Sequence, residues 1–126
     1  MPASMRARLA VAAGLLACAA CGPGTVDLHE TWSLAPGVTA EVNLLMDPDT
    51  SAEARFQASG VLAWDVHRHE GREVIVEQQG ASDAGTLVLS TATGGKLSFA
   101  WRNGSAEPIT LEVRVSGQGH LVSAGP

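Results

Sequence analysis

Cysteine is scarce and confined to the start of the chain: there are two, Cys18 and Cys21, and none beyond. Neither a disulfide framework nor a cysteine-ligated zinc site is therefore open to the remaining residues, and a fold there must rest on its apolar core. Positive charge is scarce as well. Past residue 21 only Arg55, Arg68, Arg72, Lys96, Arg102 and Arg114 are basic, six against 13 acidic residues, a net of −7 where the whole chain, with Arg6 and Arg8, carries −5. With no basic patch, nucleic acid is not an expected partner. Long apolar runs are missing too. The run from Leu9 to Ala17 falls well below the roughly 20 residues a membrane-crossing helix needs. Also missing are a G-x-S-x-G elbow, a Walker loop and an H-E-x-x-H helix. Serine, histidine and aspartate occur, but nothing sets a nucleophile beside a base and an orienter, and Gly94-Gly95 reads as a turn between strands. The chain is not expected to be an enzyme.

What is present begins with the leader. Arg6 and Arg8 form a positive start, Leu9 to Ala17 a short apolar stretch, and small residues then meet cysteine. This is the plan of a cleaved export signal. Leu15-Leu16-Ala17-Cys18 resembles the lipobox of secreted bacterial lipoproteins, in which the cysteine receives a diacylglyceryl group before cleavage ahead of it. Cys21, preceded by a longer apolar run but with Cys18 where leucine is expected, is the alternative. Residues 1–20 are thus expected to be leader, and the protein to be held at the membrane by its N-terminal lipid. Neither Ala19 nor Gly22 is the aspartate associated with inner-membrane retention. The expected location is the bacterial envelope, at the outer membrane if the source is Gram-negative. A tether from Gly22 to about Thr25 would keep the domain close to the bilayer.

About 105 residues remain, enough for one domain, expected over residues 26–123. They form short runs rich in Val, Leu, Ile, Thr and Trp, near 27–34, 38–46, 53–59, 61–69, 73–79, 85–92, 96–102, 108–116 and 119–123, separated by turn-forming residues. That spacing predicts an all-β antiparallel sandwich. Asp49 to Phe56 is the only stretch with a helical reading. Leu97, Phe99 and Trp101 share one strand face, as do Ile109, Leu111, Val113 and Val115, and Asn103-Gly104 between them suits a hairpin turn. The turn reading is preferred to the glycosylation sequon that Asn103-Gly104-Ser105 also spells. Phe56, Trp64, Phe99 and Trp101 are expected in the core, and Trp32 partly exposed.

The segment richest in chemistry runs from Val61 to Glu77. Period two puts Leu62, Trp64 and Val66 toward the core, leaving Asp65, His67 and His69 on the opposite face. A three-residue loop, Glu70-Gly71-Arg72, would set His69 opposite Glu73, His67 opposite Ile75 and Asp65 opposite Glu77, whereas a two-residue loop would mismatch polar and apolar faces. Two accounts of this face follow. His67 and His69, with a carboxylate from Asp65 or Glu73, would suit zinc or copper. Alternatively they are solvated side chains balancing acidic neighbours, contributing roughly 0.2–1 kcal/mol per cross-strand pair. The pair lacks the third fixed ligand of a strong zinc signature. His120 would complete a site only if the fold brought the C-terminus near, and His29 has only Glu30 beside it.

Phe56, the run Trp64-Asp65-Val66-His67, a turn at Glu77 to Gly80, Gly85-Thr86-Leu87 and the stretch from Phe99 through Ser105 and Ile109 to Gly117 together form a pattern over about half the chain. It resembles the GOLD domain, the small β-sandwich of early secretory pathway cargo receptors, and similar small bacterial exported proteins. The receptors' disulfide, coiled coil, membrane span and sorting tail have no counterpart, so their transport function does not carry over. The resemblance implies an antiparallel sandwich with a non-enzymatic binding or protein-interaction role, an envelope protein being the expected partner. Metal binding through His67 and His69 is the alternative, and otherwise no cofactor is expected.

Overall fold

The computed structural model describes residues 24–126, so the leader with Cys18 and Cys21 lies outside the described residues. Regular structure among the described residues is entirely strand: β1 (Thr25–Leu34), β2 (Thr39–Met46), β3 (Thr50–Glu70), β4 (Glu73–Thr91), β5 (Gly95–Arg102), β6 (Ile109–Gln118) and β7 (His120–Gly125). Every pairing is antiparallel. β1 and β6 join the first part of β3 and the last part of β4. β7, β2 and β5 join the last part of β3 and the first part of β4. The result is an antiparallel sandwich-like sheet nearly closed into a barrel. Where β6 hands over to β7, the Gly119 amide donates to the Gly24 carbonyl at 2.8 Å, drawing β1 and β7 together.

The fold class matches the expectation, while two expected breaks are bends. Runs 53–59 and 61–69 form the single strand β3, and runs 73–79 and 85–92 the single strand β4. Pairing passes from Gln57↔Ala84 to Leu62↔Ser82, so four residues of β3 oppose one of β4. Such an insertion bends a ribbon without ending it, and here it carries the hairpin from one layer into the other. The expected turn at Glu77 to Gly80 likewise lies within β4.

The helical reading of Asp49 to Phe56 is overturned: from Thr50 onward this stretch is β3. Ala52, Ala54 and Phe56 are buried, and the residues between them point outward. Period two prevails because burial of that face in the core, with β4 and β6 paired on either side, outweighs weak local helical preference. The hairpin at Asn103-Gly104 is overturned too, since β5 and β6 are not neighbours and the segment crosses between layers. Asn103 is fully buried. Its amide donates to the carbonyls of Leu34 at 2.9 Å and Glu107 at 2.7 Å, and its Oδ1 accepts from the Ser105 amide at 2.9 Å. The side chain thereby satisfies backbone groups that a crossover would otherwise strand. With that nitrogen engaged inside the protein, the turn-versus-sequon question gives way to a structural role.

The inner faces interdigitate. Val42, Leu44, Leu62, Val66, Leu97, Phe99 and Trp101 from one layer meet Leu34, Ala54, Phe56, Leu89, Leu111, Val113 and Val115 from the other. Phe56 packs edge-on against Trp101, ring centroids 5.8 Å apart, and Phe99 stacks beside it at 6.3 Å. Trp64 and Trp32 pack half-buried at the margin of this core.

Candidate functional site

Antiparallel register stacks residues into rows across the outer face of the β4–β3–β5–β2–β7 layer. One row runs Gln79, Asp65, Ala100, Glu41, Gly125, and the next runs Val76, His67, Ser98, Asn43, Ser123. Beyond them come Val74, His69, Lys96, Leu45 and His120. Asp65, His67 and His69 share this face as period two requires. The floor between the larger side chains is small: Ser98 is fully buried and Ala100 is 5% exposed.

His67 lies down on that floor. It is only 5% exposed although it stands on an outer face. Its Nδ1 lies 2.5 Å from Asp65 Oδ1, and its Nε2 lies 3.9 Å from Glu41 Oε2 on β2. The His69 ring packs edge-on against it, centroids 4.9 Å apart. His69 Nε2 lies 3.2 Å from Ser98 Oγ, and Ser98 in turn donates to Asn43 Oδ1, whose amide donates to Ser123 Oγ at 2.9 Å. A polar chain thus spans β3, β5, β2 and β7. Burial, with the nearby His67 and Lys96, holds His69 below its usual imidazole value, against an upward pull from Glu41.

The loop at the hairpin tip has two residues, not three: Glu70 pairs with Glu73, His69 with Val74, and His67 with Val76. Gly71, at φ 61°, supplies the left-handed conformation that a two-residue turn needs at its first position. The predicted mismatch of faces is avoided farther along. Val66 pairs with Gln78 and His67 with Val76, so Glu77 is an extra residue, and this bulge absorbs the one-residue slip. Asp65 consequently faces Gln79, and Glu77 instead accepts from Arg68 Nε at 3.0 Å.

Of the residues proposed as ligands from sequence, Asp65, His67 and His69 come together, while Glu73 stands exposed at the tip. His120 lies on β7 opposite Leu45, with β5 and β2 between it and His69. His29 belongs to the other layer, 2.7 Å from Glu112. Among the described residues no group of three or more His, Cys, Asp or Glu stands ready to hold one ion. Sequence reading missed Glu41, which β5 places two strands from Asp65. No local signal marks it, because the juxtaposition depends on non-local pairing.

Beside His67 the face opens into a groove of about 530 Å³, with Ala63 and Ala100 in its lining and Glu41, Asp65, Gln79 and Arg102 around them. Its outer wall is β4, an edge strand that pairs only with β3 among the described residues. Along the same face β4 exposes Val74 and Val76, 56% and 49% accessible.

No protein-family model and no curated protein sequence matches the chain. Its fold is similar to several solved structures. The chain aligns with the Yersinia pseudotuberculosis-derived mitogen at a TM-score of 0.55 and 14% identity, over 78% of this chain and 87% of that one. With PirA the TM-score is 0.54 at 15% identity, over 71% and 94% of the two chains. The Aeromonas hydrophila protein PliG, a periplasmic inhibitor of g-type lysozyme, gives 0.50 and 15% over 75% and 88%. At these identities the likeness is one of fold.

Proposed function

We propose that this chain is a lipid-anchored protein of the bacterial envelope with a non-enzymatic, protein-binding role. Its binding surface is the outer face formed by β4, β3, β5 and β2. The carrying observation is the apolar pair Val74 and Val76 on an edge strand whose outer side has no pairing strand among the described residues. Natural sheets usually blunt such edges with charge, proline or a covering element, and a bare one is a template for a partner. The groove beside it adds carboxylates that favour a partner with basic side chains.

The envelope location rests on the leader, where Cys18 or Cys21 would carry the lipid. A fold shared with a periplasmic lysozyme inhibitor is compatible with binding without catalysis, although the likeness extends no further than fold. The GOLD-like reading adds the same binding role by pattern.

A photo-crosslinking residue placed at position 76, and separately at the exposed position 110 on the other layer, tests the reading in cells. A discrete adduct in the envelope fraction from position 76 but not 110 is expected. Equal labelling from both positions, or none from either, would remove this face from consideration.

A further inference from the structure

Past residue 21 the chain has six basic residues against 13 acidic ones, yet two of the six stand directly opposite each other. β3 and β6 pair Arg55 with Arg114. Both lie on the outer face of the layer that does not carry the proposed binding surface, since their neighbours Ala54, Phe56, Val113 and Val115 are buried. The row continues with Thr86 on β4 and His29 on β1. Residues paired across two strands have their Cβ atoms about 5 Å apart, and like charges so placed are destabilising. Arginine keeps its charge, so neither side chain relieves the opposition by losing a proton.

The neighbouring carboxylates do not bridge the pair. Glu53 engages Arg55 through Nε, at 3.1 Å, and Glu112 lies 2.7 Å from His29 Nε2. Arg114 enters none of the ion pairs among the described residues. Both arginines line a recess of about 430 Å³, with Thr86 and Gln57 also in its lining.

We propose that this recess binds a phosphate group, free or carried by a lipid headgroup, between Arg55 and Arg114. The site stands independently of the protein-binding reading. Guanidinium forks match phosphate oxygens in geometry and charge, and an anion set between two of them replaces one repulsion with two attractions. The Thr86 hydroxyl and the Gln57 amide add neutral donors at the rim. Glu112, also in the lining, opposes a second negative group, so the recess suits one phosphate and not a polyanionic chain.

The test is NMR of the arginine Nε–Hε signals of the full chain in a non-ionic detergent. Inorganic phosphate is titrated against chloride at matched ionic strength. Phosphate should move the Arg55 and Arg114 signals along a saturating curve while that of Arg72, exposed at the hairpin tip, stays in place. Arg114→Gln should weaken binding roughly tenfold or more. In chloride that variant should unfold at a temperature no lower than the parent's, because the opposition is gone, and phosphate should raise the parent's unfolding temperature alone. Phosphatidylglycerol added to the micelles separates the two sources. Movement of the same two signals at lower concentration than with inorganic phosphate assigns the site to a headgroup, and movement with inorganic phosphate alone assigns it to a free phosphate. Signals that never saturate, equal movement at Arg72, or affinity that survives Arg114→Gln would overturn the proposal.

Discussion

The β3–β4 hairpin is one ribbon with two unlike halves. In the half against β6, buried and exposed residues alternate cleanly from Thr50 to Gln57, and Leu87 and Leu89 answer from β4. In the half against β5, the inward residues Leu62 and Val66 are still buried, but His67 is buried on the opposite face as well. Both halves pair antiparallel on each side, the second with a bulge at Glu77. They differ in what covers the outer face. Small residues on β5, Ser98 and Ala100, let larger polar side chains from β3 and β2 settle onto the sheet. The first half spends its residues on core packing, and the second carries an arrangement that core packing does not need.

Phe56→Ala probes the packing half and should have the largest effect. Removing a core aromatic that packs on Trp101 should cost about 3–5 kcal/mol, read from the shift of the urea unfolding midpoint. A loss below about 1 kcal/mol would mean that the first half is not the stabilising one.

Gly80→Ala probes the second half, where Trp64 lies over β4. A Cβ at position 80 would come within 2.5 Å of the Trp64 ring, whose Nε1 donates to Ser82 Oγ at 3.2 Å. Displacing the indole should cost about 1–3 kcal/mol and change tryptophan fluorescence. An unchanged spectrum would place Trp64 elsewhere.

His69→Gln separates the halves by pH. Because burial holds the folded imidazole below its unfolded value of 6.5, the unfolded chain binds the proton more readily. Stability is therefore fully present above that value and lost as pH falls from it toward the lower folded value. Thermal melts between pH 8 and about pH 5 should show an acid-side slope that is shallower in the variant. Parallel slopes would remove the buried-imidazole account.

The smallest effect on stability belongs to Val76→Lys. That side chain is half exposed on the free edge, so stability should change by no more than about 0.5 kcal/mol. Any envelope adduct formed through this face should nevertheless be lost. A large stability loss would show that the edge is packed.

Much of the fold was legible because period-two patterning is local. Leu97, Phe99 and Trp101, and Ile109 through Val115, read correctly as buried faces, and Asp65, His67 and His69 as one surface. What failed were inferences joining one run to another. Gly60, between the runs 53–59 and 61–69, was read as a break between strands and lies in a bend within one, and Asn103-Gly104 was read as a hairpin and is a crossover. A turn-forming dipeptide states what the backbone tolerates, and it does not say which strand comes next to which. The register at the tip failed for a related reason, since the bulge at Glu77 has no sequence mark.

The sequence alone therefore determined the strand content, the core faces and the grouping of a carboxylate with two histidines, because each follows from alternation along one chain segment. Tertiary structure decided the strand order, the burial of His67 and its meeting with Glu41. These depend on β5 inserting Ser98 and Ala100 between β3 and β2, a non-local pairing whose energy lies in packing between segments and not within any one of them.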